Sequence, residues 1–191
     1  MRAQLRLAVR LALVTMLLFG GAYHLVVWAA AVIIFPRQAE GSLLRRVDGT
    51  VIGSRLIGQS FSRQGYFHPR PSAVAFDAAS SAGSNYGPSH PDHRRAVEAR
   101  LAAFVSLEGV DPRDVPSEML TASGAGLDPH ISPAGALVQT ARVASARGLP
   151  LERVRQLVRI HIEHPLFGVG RPVVNVLELN LALDAADARE P

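Results

Sequence analysis

The chain has 191 residues without cysteine, and its 20 basic residues are all arginine. The lack of cysteine excludes disulfides, thiolate metal sites and iron–sulfur clusters, and the lack of lysine excludes a Walker A motif, a Schiff base and a PLP site. Three arginines lie in the first ten residues, which contain no acidic residue, whereas the chain from Pro36 onward contains 17 arginines and 16 acidic residues. The body is therefore nearly neutral, and binding to nucleic acid is not expected.

Residues 11–35 form a run of 25 residues without a charged side chain. A helix of this length spans ~37 Å, more than the ~30 Å hydrocarbon core of a bilayer. The run is too long for the apolar part of a cleaved signal peptide, although Ala29–Ala31 resembles a cleavage site. We therefore predict a retained transmembrane helix that ends at Pro36. His24, its only ionisable group, is expected either to contact a partner helix or to lie neutral in a groove.

The distribution of arginine around this span predicts its orientation. Three arginines precede the span closely, and only Arg37 follows it directly. The positive-inside rule then places the N-terminus in the cytoplasm and the rest of the chain outside the inner membrane. The predicted parts are a short basic cytoplasmic arm (1–10), a single-pass transmembrane helix (11–35) and one extracytoplasmic domain (36–191).

The first part of the extracytoplasmic domain is predicted to contain a β-hairpin and a long loop. Asp48-Gly49 lies between two apolar runs, which is a strong hairpin signal, and the second strand is expected to continue to Ile57. Residues 60–91 are rich in Ser, Gly and Pro and show no clear periodicity. A loop of this length inside a compact domain is usually functional or held by a partner.

The remaining residues are predicted to alternate between helices and strands. Three helices each carry a proline at or near the start; they cover residues 91–108, 133–147 and 150–165. Short strands are expected at 119–121 and 173–176. Leucines at every second position over 177–183 favour a further strand, but their number leaves a helix open. The expected fold class is α+β, with one N-terminal transmembrane helix before a single mixed α/β domain.

The patterns that indicate catalysis or metal binding are weak. The pairs His90/His93 and His161/His164 have a spacing that puts two ligands on one helix face, but neither has a third ligand nearby, so no metal site is predicted. Ser123 is expected to be an exposed serine in a glycine-rich loop; a turn explains it as well as a nucleophile does, because the G-x-S-x-G elbow is absent. The same loop could present N–H groups to a phosphate.

The segment Tyr66–Ser72 differs from an ordinary loop. It contains two aromatics, a histidine, an arginine and two prolines, which fix the backbone and supply the residue types of interface hot spots. Tyr66, Phe67, His68 and Arg70 are therefore candidates for a partner interface. The alternative is a rigid loop packed on its own domain. Ser84 and Asn85, which have turn chemistry, are added to the candidate interface.

Six segments, in order along the chain, resemble the C subunit of the Kdp-type potassium-transporting P-type ATPase (the KdpC family). They are Leu56–Phe61, Tyr66–Ala73, Ser84–Asn85, Thr121–Pro133, Arg142–Arg147 and Val173–Asn180. The resemblance runs from the membrane anchor to about Asp184. It implies a single-span subunit in a membrane complex with a channel-like potassium-binding subunit and a P-type ATPase subunit, which together import potassium at the cost of ATP.

The resemblance also implies a role and a residue for it. The C subunit is described as a catalytic chaperone that raises the ATP affinity of the ATPase subunit, so ATP is handled by the partner and this chain has no cofactor of its own. In the family a glutamine before an Arg-Val-Ala motif is linked to nucleotide, and Gln139 occupies that place. The predicted topology conflicts with direct contact, because it puts Gln139 on the side away from cytoplasmic ATP.

Two functions from different classes remain. The first is an accessory, non-catalytic subunit of the transport complex; a chain without lysine lacks the P-type phosphorylation motif, and one span cannot line an ion path alone. The second is a membrane-anchored extracytoplasmic serine hydrolase. The first predicts two much larger membrane partners and no turnover by the isolated chain.

Overall fold

The structure is a computed structural model that describes residues 1–46, 48–165 and 168–187. It divides into two compact units, Met1–Ile52 and Gly53–Pro191. The units are an apolar helical segment and a mixed helix and strand domain, which confirms the predicted fold class. Each unit is described below by itself.

One long apolar helix dominates the first unit. It runs from Arg2 to Ile34 as α1 (Arg2–Thr15), a π-helical segment (Met16–Ala22) and α2 (Tyr23–Ile34). It is the one candidate membrane span in the described part of the chain, and none of its residues is buried against the protein. Phe35 leaves the helical conformation (φ −129°, ψ 57°) because Pro36 disfavours it there.

A short helix and a hairpin complete this part of the chain. The short helix is α3 (Pro36–Ala39), and the strands are β1 (Leu43–Arg45) and β2 (Val51–Ser54). In the turn, Asp48 Oδ1 accepts the Thr50 N–H at 2.9 Å. The predicted hairpin is confirmed, although Val47 lies outside the described residues. The expected extension to Ile57 is wrong, because the Ile57 N–H turns back to the Ser54 carbonyl at 3.3 Å.

The second unit combines five helices, three short strands and two 3₁₀ turns among its described residues. The elements after the long loop are, in chain order, α4 (Pro91–Glu108), 3₁₀ turns at Pro112–Asp114 and Ser117–Met119, β3 (His130–Ile131), α5 (Pro133–Leu137), α6 (Thr140–Arg147), α7 (Leu151–Ile160), β4 (Ile162–Glu163), β5 (Val173–Asn175) and α8 (Val176–Asp187).

The three strands form an antiparallel sheet with β5 in the centre. Val174 lies opposite Ile131 on one side and Ile162 on the other. Ile131 and Val174 are buried in the core, together with Val154 and Val158 from α7. The sheet thus fixes where α8 begins, because this helix starts at the residue after β5.

Two of the predicted elements change type. Residues 177–183 form part of a helix: Val176, Leu179, Asn180 and Leu183 are buried at the i, i+3, i+4, i+7 spacing of one helix face. The strand alternative favoured by the leucine alternation is therefore wrong. The predicted strand at 119–121 is also wrong, because the Thr121 N–H bonds the Ser117 carbonyl in a turn.

Three helices were expected after the loop, and their starts are confirmed. The side chain of His90 caps α4, and Gly109 ends it in a left-handed conformation with φ 67°. The expected helix over 133–147 is instead split into α5 and α6 at Gln139, and the expected helix to Pro165 ends at Ile160. The third helix ends earlier than expected because Ile162–Glu163 forms strand β4, which pairs with β5.

Candidate functional site

The candidate site is built around residues 65–72, here called the strap, a segment without helix or strand that includes Tyr66, Phe67, His68 and Arg70. Phe67 is completely buried and belongs to the hydrophobic core of the second unit. Its ring is therefore not available to a partner, which corrects the assignment of Phe67 to a partner interface. Tyr66, His68 and Arg70 are partly exposed, and their interface role stays a prediction.

Two buried side-chain amides hold the backbone of the strap. Asn180 Oδ1 accepts the Phe67 N–H at 2.8 Å, and its Nδ2 donates to the Phe67 carbonyl at 3.0 Å. Gln139 does the same at the next residue: Oε1 accepts the His68 N–H at 2.8 Å, and Nε2 donates to the His68 carbonyl at 3.0 Å. All four main-chain groups of this dipeptide are thus satisfied by side chains, as a neighbouring strand would satisfy them.

Gln139 has no hydrogen-bonding capacity left for a ligand. Besides its bonds to His68, Nε2 donates to the Gly135 carbonyl at 2.9 Å and Oε1 accepts from Arg142 Nη2 at 2.9 Å. A glutamine amide offers two donors and two acceptor lone pairs, and all are used. The side chain is also completely buried. This arrangement gives Gln139 a structural task, and the link to nucleotide that the resemblance implies stays a prediction.

Arg142 ties the start of the strap to α4. Its Nη1 donates to the carbonyls of Gln64 and Tyr66, the latter at 2.9 Å. Its Nε donates to Glu108 Oε1 at 2.9 Å, and both side chains are buried. Glu108 Oε2 has no partner among the described residues. Burial raises the pKa of Glu108, and Arg142 offsets this only in part.

Tyr66 is fixed by a second arginine. The Arg147 guanidinium lies 4.6 Å from the centre of the Tyr66 ring and donates from Nη2 to Asp184 Oδ1 at 2.8 Å. The Tyr66 hydroxyl donates to the other oxygen of Asp184 at 3.1 Å. Arg147 Nε also donates to the Gly65 carbonyl. Tyr66 is therefore bound to its own domain through its hydroxyl and its ring face.

His68 and Arg70 are the other two partly exposed candidates of the strap. Burial, together with the positive charge of Arg142, lowers the pKa of His68, so its ring is neutral at neutral pH. Arg70 Nη1 is 3.2 Å from Asp128 Oδ2, whereas its Nε is buried and has no hydrogen-bond partner in the described part of the chain. Burial would raise the pKa of Asp128, but hydrogen bonds from His130 and the charge of Arg70 lower it instead.

The weaker catalytic candidates do not form a site. Ser123 is buried, not exposed as expected, and its N–H donates to the Pro71 carbonyl at 3.0 Å. His90 caps α4, and His161 ends α7, with its Nδ1 2.8 Å from the Leu157 carbonyl. Neither histidine pair thus lies on one helix face. No group of three potential metal ligands occurs among the described residues.

The other predicted contact residues are exposed. Ser84 and Asn85 lie on the surface, and Asn85 has a left-handed backbone with φ 56°. His24 lies in α2 with its ring edge-on to Tyr23 at 5.6 Å. The contact roles of these three side chains stay predictions.

Sequence reasoning did not single out six residues that hold the strap in the structure. They are Asn180, Arg142, Arg147, Asp184, Glu108 and Asp128. Asn180 is detectable in principle once residues 177–183 are assigned to a helix, because it is the one polar side chain on the face formed by Val176, Leu179, Asn180 and Leu183. The ion pair of Arg142 with Glu108 joins residues 34 positions apart, and no local pattern predicts it.

Comparison with known proteins gives one consistent result. The model of the family described as "K+-transporting ATPase, c chain" (KdpC) matches residues 5–185. A protein named potassium-transporting ATPase KdpC subunit from Xanthomonas oryzae pv. oryzae (strain MAFF 311018) is 50% identical over 183 residues, which cover 95% of this chain and 87% of that protein. A protein of the same name from Polaromonas naphthalenivorans (strain CJ2) is 50% identical over 189 residues, which cover 97% of this chain and 96% of that protein. Another, from Cereibacter sphaeroides (strain ATCC 17029 / ATH 2.4.9), is 48% identical over 189 residues, which cover 98% of this chain and 100% of that protein.

Proposed function

The chain belongs to the KdpC family, the C chain of the K⁺-transporting ATPase, and on this premise we propose that it is an accessory, non-catalytic subunit that keeps its partners in an active arrangement. The partners are the P-type ATPase subunit and the channel-like potassium-binding subunit of a potassium import complex in the inner membrane. The chain is anchored by its N-terminal helix, with the N-terminus in the cytoplasm and the second unit outside.

The observation that carries this proposal is the paired amide clamp on the strap. Ordering an irregular loop costs conformational entropy, about 1–2 kcal/mol for each residue. Here Gln139 and Asn180 use all their polar atoms to hold two residues of such a loop, and Arg142 and Arg147 bind the residues before them. A segment held in this way offers a fixed surface, which suits docking to a partner subunit because little further ordering is needed.

The clamp also bears on the nucleotide role. Gln139 is buried and fully hydrogen-bonded, which supports an indirect effect on ATP affinity. In this proposal Gln139 shapes the strap, the strap binds a partner, and the partner arrangement raises the ATP affinity of the ATPase subunit. ATP itself is bound by the ATPase subunit.

The function is tested by reconstituting the complex with and without this chain. Removing the chain is expected to abolish potassium-stimulated ATP hydrolysis, and the isolated chain is expected to hydrolyse nothing. Ser123→Ala, His90→Ala and His164→Ala are expected to retain activity, because none of these side chains belongs to a catalytic group. Full activity without the chain would contradict the accessory role, and loss of activity in an assembled Ser123→Ala complex would favour the hydrolase alternative.

Orientation has a direct test, since the natural chain contains no cysteine. Ser80→Cys and Ala3→Cys each introduce a single thiol at an exposed position of one unit. A membrane-impermeant maleimide should label Ser80→Cys on intact spheroplasts and Ala3→Cys only after permeabilisation. The reverse pattern would place the second unit in the cytoplasm and would contradict the proposed orientation.

A further inference from the structure

A groove of about 280 Å³ lies between the strap and α4 within the second unit. Residues 68–71 line it from the strap, and Arg100, Ala103, Phe104 and Leu107 line it from α4. Pockets for drug-sized ligands have volumes of about 300–1,000 Å³. This groove is slightly smaller, so it suits one or two side chains of a docked chain better than a nucleotide.

The lining combines apolar surface with positive charge. Phe104 and Leu107 give it an apolar wall, Arg70 and Arg100 carry the charges, and none of the described residues that line it is acidic. Arg70 Nη1 is already paired with Asp128, but its Nε is buried and unpartnered in the described structure. Arg100 Nη1 donates to the Leu120 carbonyl at 3.0 Å, which holds this second guanidinium in the wall of the groove.

Phe76, a further lining residue, is held in place at a conformational cost. Ala75 and Phe76 have φ values of 51° and 60°, which non-glycine residues rarely adopt. Ser72 Oγ maintains this turn: it accepts the N–H groups of Val74 at 3.1 Å and Phe76 at 3.0 Å and donates to the Gly126 carbonyl at 2.7 Å. Such strain persists where the surrounding structure imposes it, often at ligand-binding segments.

From these observations we propose that the groove binds an extended segment of a partner subunit in which an acidic side chain lies beside an aromatic or large aliphatic one. The carboxylate pairs with Arg70 and Arg100, and the apolar side chain packs against Phe76, Phe104 and Leu107. The charge of the groove favours an acidic segment over a neutral or basic one. This inference rests on the proposed function, because it requires a partner subunit.

The first test uses photocrosslinking in the assembled complex. Benzoylphenylalanine is placed at Ala103, which lines the groove, and at Ala102, its exposed neighbour on α4 that does not. Ala103 is expected to crosslink to one partner segment that contains Asp or Glu within three residues of a large apolar residue, at least fivefold more than Ala102 does. Equal crosslinking, a segment without an acid, or capture of a second copy of this chain would overturn the proposal.

The second test reverses the charge. Arg100→Glu is expected to weaken retention of the partners about tenfold. Arg100→Met removes the charge but keeps the apolar stem, so it is expected to weaken retention less than Arg100→Glu does. Arg95→Glu is the matched control, because Arg95 lies on the same helix, is exposed and does not line the groove. Arginine in place of the crosslinked partner acid should restore binding to the Arg100→Glu chain. Full retention of the partners by Arg100→Glu would overturn the proposal. If the Arg100→Glu chain does not fold, the proposal is tested by Arg100→Met and by the crosslink from position 103 instead.

The outcomes separate this inference from the function on which it rests. If the complex is active without the chain, the accessory role fails. If activity requires the chain but the groove positions give no partner crosslink and Arg100 tolerates charge reversal, the accessory role stands and the groove inference fails.

Discussion

Gln139 pairs with both main-chain polar groups of His68, its Oε1 2.8 Å from the His68 nitrogen and its Nε2 3.0 Å from the His68 oxygen. An amide side chain here replaces a strand partner. Because Asn180 makes the same pair of bonds to the preceding residue, the strap is held as though it were the edge of a sheet. The integrity of the strap therefore depends on two side chains from distant parts of the sequence.

Gln139→Met is expected to lower the free energy of unfolding by about 2–4 kcal/mol, since it leaves the partly buried N–H and carbonyl of His68 without partners and removes an acceptor from Arg142. Hydrogen exchange on the full-length chain in detergent should show faster exchange of the strap amides. Gln156→Met is the control, because Gln156 is exposed on α7. Unchanged exchange in Gln139→Met would contradict the clamp.

Asn180→Asp tests the second amide with an almost isosteric change. The carboxylate keeps the acceptor for the Phe67 N–H but places an oxygen, not a donor, 3.0 Å from the Phe67 carbonyl. We expect a loss of about 2–3 kcal/mol, the cost of an unpaired buried polar group together with repulsion. Thermal denaturation of the full-length chain measures it, and a variant as stable as the natural chain would show that the Nδ2 contact is unimportant.

The sequence predicts those elements whose signals are local. Pro91 and Gly109 bound α4, and Asp48-Gly49 forms its turn, because proline, glycine and Asx chemistry act on adjacent residues. The break at Gln139 has no such signal. It occurs where the side chain has to reach the strap, which is a tertiary requirement. The two-residue strands β3 and β4 likewise exist only through their pairing with β5.

The candidate site shows the same division. The composition of Tyr66–Ser72 distinguishes this segment from an ordinary loop, yet Phe67 and Tyr66 bind their own domain. Residue types favoured at protein interfaces are also those that anchor a loop on its own core. Only the positions of Asn180 and Arg142 in three dimensions distinguish these uses, and these residues lie 113 and 76 positions along the chain from the strap residues that they bind.

His68 is expected to make stability dependent on pH. Burial and Arg142 lower its pKa, so the unfolded chain binds a proton at this side chain more readily than the folded chain does. The contribution of neutral His68 to stability is therefore complete above the unfolded pKa of about 6.5. It is lost as the pH falls below that value and through the lower pKa of the folded chain. Between pH 7.5 and 5.0 the melting temperature should fall more for the natural chain than for His68→Gln. His164→Gln, at an exposed position, should behave like the natural chain.

The buried pair of Arg142 and Glu108 gives the last prediction. Arg142→Met leaves the Glu108 carboxylate buried without its cation and frees the carbonyls of Gln64 and Tyr66, so a loss of about 3–5 kcal/mol is expected. Glu108→Gln alone should cost less, because a neutral amide is easier to bury than a carboxylate and its oxygen still accepts from Arg142. In the double variant the uncompensated charge is absent, and part of the loss should be recovered. Chemical denaturation of the three full-length variants measures the coupling energy. Additive losses would show that the two side chains act independently and that Arg142 contributes only through its bonds to the Gln64 and Tyr66 carbonyls and to Gln139.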